Sequence, residues 1–289
     1  MRHRWLTPLK ALMGPAARRK KAFGFYRSMA DMHLTTAVSR LRGRMAEAGM
    51  GLSSNDRRIA ALKNRHVGRR AFVLGNGPSL CAPDLDRLQD EITFAANKIY
   101  LAYDQTPWRP TYYFVSDRLV AEQNRHEIRN LEVPRFFPDI LRATLGEIPD
   151  TIYYPTRYPS LGDLWEGVAD GGTVLAPMMQ FAWYMGIREI YLLGVDFSFN
   201  LSRETGQATK EGDQVLTSQG EVNHFHADYR KPGEAWTYPK LEYQRMFFAD
   251  FRGFAKQTYG RDAVLNATRS TKLDIYPRVN LDAVLGRKS

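Results

Sequence analysis

Apolar positions along the 289-residue chain follow two periods. Short, mostly apolar runs of two to five residues recur from residue 71 onward: Ala71–Leu74, Ile92–Ala95, Thr111–Val115, Arg135–Phe137, Ile152–Tyr154, Ile190–Leu193 and Val264–Leu265. Runs this short, rich in β-branched and aromatic residues, predict buried strands. Between several of them lie longer stretches of helical pattern, Arg118–Asn130, Val174–Met185 and Pro239–Thr258. Alternation of strand and helix predicts βαβ units and a doubly wound, mostly parallel sheet, an α/β fold. Upstream the period is helical throughout. From Ala16 to Ala48, Phe23, Tyr26, Met29, Leu34, Val38, Leu41 and Met45 recur every three to five residues among Arg and Lys. "GLSSND" (51–56) breaks this helix, and Ser54 or Asn55 can cap the next. The stretch 199–223 is polar and rich in Gly, Ser and Thr, which predicts a flexible loop or lid. The organisation expected is a basic helical arm over 1–66 and a Rossmann-like domain over 67–289.

Charge sharpens this division. Residues 1–70 carry 17 Lys and Arg against three acids, Asp31, Glu47 and Asp56, a net of +14. With +10 for the whole chain, the remainder is mildly acidic at −4. An arm of this kind can lie on an anionic membrane; it can equally pack on the body or on a second copy, which leaves homo-oligomerisation open. Nucleic acid is not the expected partner, because aromatics are not interleaved with the charges and the body is acidic. The single cysteine, Cys81, excludes a disulfide framework and a multi-cysteine metal site. No apolar run approaches the ~20 residues that span a bilayer. Pro8 and Lys10 break the only apolar stretch that could serve a signal peptide. A cytoplasmic protein, associated with a membrane if the arm binds one, is the expectation.

Candidate chemistry follows from what stands after each strand, where open α/β sheets bind ligands. After the first comes Gly75-Asn76-Gly77-Pro78-Ser79. Two glycines permit a tight turn and close approach of a ligand, and Asn76 and Ser79 supply polar contacts. A P-loop would need a Lys that is missing, and the dinucleotide fingerprint a Gly where Leu80 stands. A purely structural turn is the competing explanation. Asn97 follows the second strand, Ser116-Asp117 the third, and Gly194-Val195-Asp196-Phe197-Ser198 the strand Ile190–Leu193. Together they predict a nucleotide-sized pocket. Gly171, Gly172 and Thr173 open a helix and offer a second anion cradle. "NHFHADY" (223–229) holds His224 and His226, expected on one face of a strand. They could bind a metal with Asp228, serve as a general base, or be satisfied locally. "DLD" (84–86) is an Asp-x-Asp pattern, with helix capping by Asp84 the simpler role. Cys81 is expected to be a small buried residue.

These segments together, "GNGPSL", Asn97, "GGTV", "EIYLLGVDFS", "NHFHADY" and "YPRV", resemble the bacterial domain-of-unknown-function-115 proteins, also labelled 6-hydroxymethylpterin diphosphokinase-like or MptE-like. More distantly they resemble the bacterial sialyltransferases of glycosyltransferase family 42. The resemblance covers roughly residues 70–285. It implies a Rossmann-like, GT-A-type fold that binds a cytidine nucleotide, with Asn76, Ser79, Asn97 and Thr173 at the CMP-sugar and Asp196 ending "GVD". Val174 and Phe197-Ser198-Phe199 depart from the sialyltransferase pattern. The base implied is His226 or His224. The activity implied is metal-independent, inverting transfer of an acidic sugar from a CMP-sugar to a glycan or lipid-linked hydroxyl. The alternative is a Mg²⁺-dependent diphosphokinase moving pyrophosphate from ATP to a pterin alcohol, with Asp117 and Asp196 as metal ligands.

Overall fold

A computed structural model describes residues 35–156, 161–202, 204–208 and 214–286. The greater part of the basic arm, residues 1–34, lies outside the described residues.

Seven strands form one sheet: β1 (Arg70–Leu74), β2 (Ile92–Ala96), β3 (Tyr112–Phe114), β4 (Arg135–Pro138), β5 (Thr151–Tyr154), β6 (Glu189–Leu193) and β10 (Val264–Asn266). Their order is β10-β6-β1-β2-β3-β4-β5, and every adjacent pair is parallel. All seven coincide with the apolar runs of the sequence to within two residues at either end. Strands covered on both faces need no polar alternation, so they read as continuous apolar runs. β1 and β2 are buried at every position.

Alternate residues feed two cores. Ala71, Val73, Phe94, Phe114 and Leu192 face one, Phe72, Leu74, Ala95, Tyr113 and Leu193 the other. The helices are α1 (35–47), α2 (Ser54–Ala60), α3 (Ala82–Asp86), α4 (Arg118–Gln123), α5 (Arg125–Asn130), α6 (Arg142–Leu145), α7 (Leu175–Tyr184), α8 (Leu241–Tyr259) and α9 (Leu281–Leu285). α7 is buried along its whole length, and Phe181 meets Phe114, Phe136 and Tyr154 at ring-centroid distances of 5.0–5.5 Å. α8 lays Phe247, Phe248 and Phe251 into the same core.

α1 is docked on the body. A Cβ on Gly43 would come within 2.4 Å of the Trp165 indole, so only Gly lets the helix approach so closely. Arg42 holds buried Asp56 through two hydrogen bonds of 2.8 and 2.6 Å. Glu47 accepts from Trp165 Nε1 at 3.3 Å and from the Tyr184 hydroxyl at 3.2 Å. Val38 and Leu41 remain exposed on the outer side. Among the described residues, no helix is long and apolar enough to cross a membrane.

Three expectations need correction. The stretch 199–223 is not a plain loop: it contains β7 (Thr205–Ala208) and β8 (Gln214–Thr217), which join β9 (Ala235–Thr237) in an antiparallel sheet. Val215 and Leu216 supply enough apolar character for pairing, diluted in sequence by polar neighbours. The helix expected over Arg118–Asn130 is two, because Asn124 leaves helical geometry at φ −122° and bonds back to Val120 O at 2.9 Å. His224 and His226 lie in bends leading into a 3₁₀ turn, not on a strand.

Candidate functional site

The sheet reverses its winding between β1 and β6, so a crevice opens at their carboxyl ends. Gly75–Ser79 and Gly194–Ser198 meet there. The Ser79 hydroxyl donates to Asp196 Oδ2 at 2.7 Å, and the Ser79 N–H reaches the same oxygen at 3.4 Å. A Cβ on Gly77 would lie 2.0 Å from Asp196 Oδ2, and one on Gly75 2.4 Å from Gly194 O. The glycines therefore admit Asp196 and the neighbouring strand end, rather than a ligand. The Gly77 N–H is also taken, by Gly194 O at 2.9 Å. Burial pushes the Asp196 carboxyl up from its ordinary value, against the hydrogen bonds from Ser79. Ser198 is half-buried beyond it.

Beside this contact, Asn76 donates to a buried phenol oxygen. Asn76 Nδ2 donates to the Tyr229 hydroxyl at 3.0 Å and to Ala96 O at 3.0 Å. Asn97 and Lys98 lie near enough to the Tyr229 oxygen to work against the rise of its pKa. Asn97 holds a left-handed backbone, φ +54°, and its carbonyl accepts from Tyr113 at 2.6 Å. Burial raises the Tyr229 pKa to about 12 despite Arg230 and these groups, so the phenol is neutral. The arrangement leaves Asn76 Oδ1 and Asn97 Oδ1 buried without a hydrogen-bond partner. Buried orphan acceptors are costly, and native proteins satisfy them with ordered water, an ion or a ligand.

A roof formed by residues 221–237 covers these groups. The Phe225 N–H donates to Asn76 O at 3.0 Å. Lys98 pairs with Glu234, its Nζ 6.0 Å from the Tyr229 ring centre. Arg230 lies 3.4 Å above the Trp236 ring. His224 stacks on Tyr229 with centroids 3.8 Å apart and planes 5° apart.

The two histidines differ in chemistry. His226 Nδ1 accepts the Asp228 N–H at 3.1 Å, which places the proton of the neutral ring on Nε2 and leaves no free lone pair. His224 Nδ1 lies 3.0 Å from Glu221 Oε2, off the line of a good hydrogen bond, while Nε2 faces Arg230 Nη2 at 3.5 Å. A guanidinium only donates, so Nε2 carries the lone pair and Nδ1 the proton, on the Glu221 side. Burial holds the His224 pKa down to about 4, outweighing the Glu221 carboxylate. The ring is neutral at pH 7.

The other predicted residues take local roles. Asp117 caps α4, accepting from the N–H groups of Leu119 and Val120 at 2.7 and 3.3 Å. The Ser116 hydroxyl lies 3.3 Å from the Tyr154 hydroxyl. Gly171 and Gly172 hold φ of +59° and +65°, and a Cβ on either would meet a side chain at 2.7 Å. The Gly172 N–H turns to Asp170 Oδ2 at 3.3 Å, and Thr173 Oγ1 accepts the Leu175 N–H at 3.3 Å. Asp84 is not a helix cap: it is buried against Arg269, 2.5 Å from Nη2 to Oδ1. Cys81 is half-buried rather than buried, with its Sγ 3.3 Å from Asp84 Oδ2. Among the described residues no three His, Cys, Asp or Glu side chains gather as a metal site, so His224, His226 and Asp228 do not form the ligand set weighed as one alternative for them. Sequence reasoning passed over Tyr229, Lys98, Glu221 and Arg230. Tyr229 ends the "NHFHADY" motif and Lys98 follows Asn97, so both lay beside recognised signals.

No family model and no curated protein matches the chain, so the domain-of-unknown-function-115 resemblance finds no support there. Among solved structures, the chain is similar to the MAf glycosyltransferase from Magnetospirillum magneticum AMB-1, at TM-score 0.42 and 16% identity over 78% of this chain and 38% of that one. It is also similar to the sialyltransferase CstII from Campylobacter jejuni, solved in complex with a substrate analogue, cytidine-5'-monophosphate, at TM-score 0.42 and 16% identity over 74% of this chain and 85% of that one. The match spans well under half of the MAf protein.

Proposed function

We propose that the chain is a glycosyltransferase that moves an acidic sugar from a CMP-sugar donor to an acceptor hydroxyl with inversion. The observation that carries this reading is the pair of orphan acceptors, Asn76 Oδ1 and Asn97 Oδ1, at the ends of adjacent central strands beside the switch point. Ribose hydroxyls and a base amino group are the donors such oxygens seek. The neighbouring loop has spent its Gly77 and Ser79 amides on Gly194 and Asp196, so it offers no cradle for a triphosphate. That favours a nucleoside monophosphate donor over ATP. The Gly171–Thr173 turn spends its Gly172 and Thr173 N–H groups on Asp170, so it offers no second cradle in this state.

We assign His224 as the base. Glu221 stands at its Nδ1, which aims Nε2 outward once Arg230 withdraws. Asp196 positions Ser79. Orientation and stabilisation of the leaving phosphate lower the barrier, with no metal required. The basic arm would hold the enzyme at an anionic surface, where lipid-linked acceptors lie.

Thermal shift with CMP in EDTA, against ATP with Mg²⁺, tests the reading. CMP should raise the Tm in EDTA, and Asn76→Ala or Asn97→Ala should weaken CMP about tenfold or more, the loss of one to two hydrogen bonds. His224→Asn should abolish CMP release from a CMP-activated acidic sugar while sparing CMP binding. Stabilisation by ATP with Mg²⁺ alone would overturn the transferase in favour of the diphosphokinase.

A further inference from the structure

Exposed apolar side chains are unevenly placed on this chain. Among the described residues nine large ones are exposed, and five of them, Val38, Leu41, Met50, Leu52 and Val67, fall between residues 38 and 67. Scattered singly, such side chains need no explanation; gathered, they mark a surface that meets something apolar. The same stretch, taken to Arg69, holds eight Lys and Arg against two acids. Both acids are engaged: Asp56 is buried and held by Arg42, and Glu47 bonds with Lys63, Trp165 and Tyr184. Arg40 and Arg58 pair with Glu166 and Asp150. Arg44, Arg57, Arg65 and Arg69 are exposed, and none of the four pairs with a carboxylate of the described residues.

Local contacts bring these groups together. Arg57 Nη1 donates to Gly51 O at 3.1 Å, between Met50 and Leu52, which are 59% and 71% exposed. Lys63 ties the turn after α2 to the end of α1 through Glu47. The Asn64 and His66 N–H groups donate to Tyr184 O at 3.0 Å and Met185 O at 2.8 Å, so the 61–69 turn is pinned to the end of α7. Val67 stands over Gly186, where a Cβ would come within 2.6 Å of its Cγ2, and is still 66% exposed. Arg65 and Arg69 stand on either side of it in the chain. Burial first, and then these two cations, hold His66 below its ordinary value. Arg69 leads into β1 and Gly186 into β6, so this surface lies at the amino ends of the strands, opposite the crevice.

Apolar tips among cations select the occupant. A second copy would set the same cations against themselves. A nucleic-acid backbone would satisfy the charge but leave Met50, Leu52 and Val67 with nothing to bury them. An anionic bilayer answers both: apolar side chains enter the boundary of headgroup and acyl chain, while Arg heads stay at the lipid phosphates. We propose that this face of the folded body, with Met50, Leu52 and Val67 inserted and Arg44, Arg57, Arg65 and Arg69 at the phosphates, docks on an anionic bilayer and turns the crevice away from the lipid. This goes beyond attraction by the arm, because it commits the body to one orientation. It rests on the surface alone and holds whatever the crevice binds. Under the transferase reading, a lipid-linked acceptor would reach the crevice by an end that stands off the membrane.

Vesicles of phosphatidylglycerol or of phosphatidylcholine, added to the full chain, test it. In a Cys81→Ser background, an environment-sensitive fluorophore is attached at Val67→Cys or, for comparison, at Ile140→Cys, an exposed apolar position at the carboxyl ends of the strands. The probe at 67 should brighten and shift to the blue with phosphatidylglycerol, and a quencher carried in the lipid should dim it. The probe at 140 should do neither, and phosphatidylcholine should leave both unchanged. Met50→Ser, Leu52→Ser and Val67→Ser together should weaken partition at least about tenfold. Arg65→Gln with Arg69→Gln should weaken it about as much, with Tm unchanged in both variants because all five side chains are exposed. A vesicle-bound chain whose probe at 67 stays in water overturns the proposal and leaves the arm as the anchor. Equal responses at 67 and 140 overturn it too, as does a chain that binds neither vesicle. A response at 67 that follows protein concentration without lipid points to a second copy and also overturns it. None of these outcomes bears on CMP binding, so this inference and the transferase reading fail separately.

Discussion

At the scale of single residues, the site is an arrangement of hydrogen-bond vacancies. The Tyr229 oxygen accepts from the Asn76 amide, while Asn76 and Asn97 keep an acceptor each in reserve. Tyr229→Phe leaves the Asn76 amide without that oxygen. We expect a loss of about 1–3 kcal/mol in urea unfolding, the cost of an orphaned buried donor. A Tyr229→Phe chain as stable as wild type would mean that the phenol is a bystander. The residue identities here were readable from the turn positions after each strand. Their hydrogen-bond state was not. Whether His226 or His224 keeps a lone pair depends on Asp228, Glu221 and Arg230, whose placement is decided by the folding of the roof.

Among elements, α1 gives a prediction whose sign is informative. Gly43 sits in a helix, where Ala is intrinsically better by about 1 kcal/mol. If α1 stood clear of the body, Gly43→Ala would stabilise the chain. Docked as it is, with the Trp165 indole where the methyl would go, the substitution should cost about 1–3 kcal/mol. Thermal unfolding of the single variant decides: a raised Tm would detach α1. The helical period of the arm was legible in the sequence. The face that docks was not, because Gly43 and Ala46 are small and carry little apolar signal beside Val38 and Leu41, which remain exposed.

Over the whole molecule, the buried His224 ties roof stability to pH. Its pKa is about 4 when folded and near 6.5 when unfolded, so between these values the unfolded chain binds more protons. Stability therefore rises with pH across that window and falls as the solution is acidified from about 6.5 to 4, by roughly 3 kcal/mol in full. Glu221 adds to the fall at the acid end. Burial raises its pKa, but His224, the Asn223 N–H and Arg230 hold it below the ordinary 4.5. Urea midpoints between pH 4 and 7 should show this slope in the wild type and much less of it in His224→Gln. The same slope in both would place the titrating group elsewhere.

The amino-acid sequence by itself determined the seven parallel strands, because a strand buried on both faces must be a short apolar run and leaves that run unbroken. It also marked the turns at the carboxyl ends of the strands, since Gly, Asn, Ser and Asp collect where strands end. Only the tertiary structure decided what those turns hold. Gly77 admits the Asp196 carboxylate, Asp117 caps a helix, and Asp84 is matched to Arg269, 185 residues away. It also decided that 221–237 closes over Asn76 and Asn97. Contacts between segments so distant in the chain have no local period to announce them; they follow from the order in which the sheet sets its strands side by side.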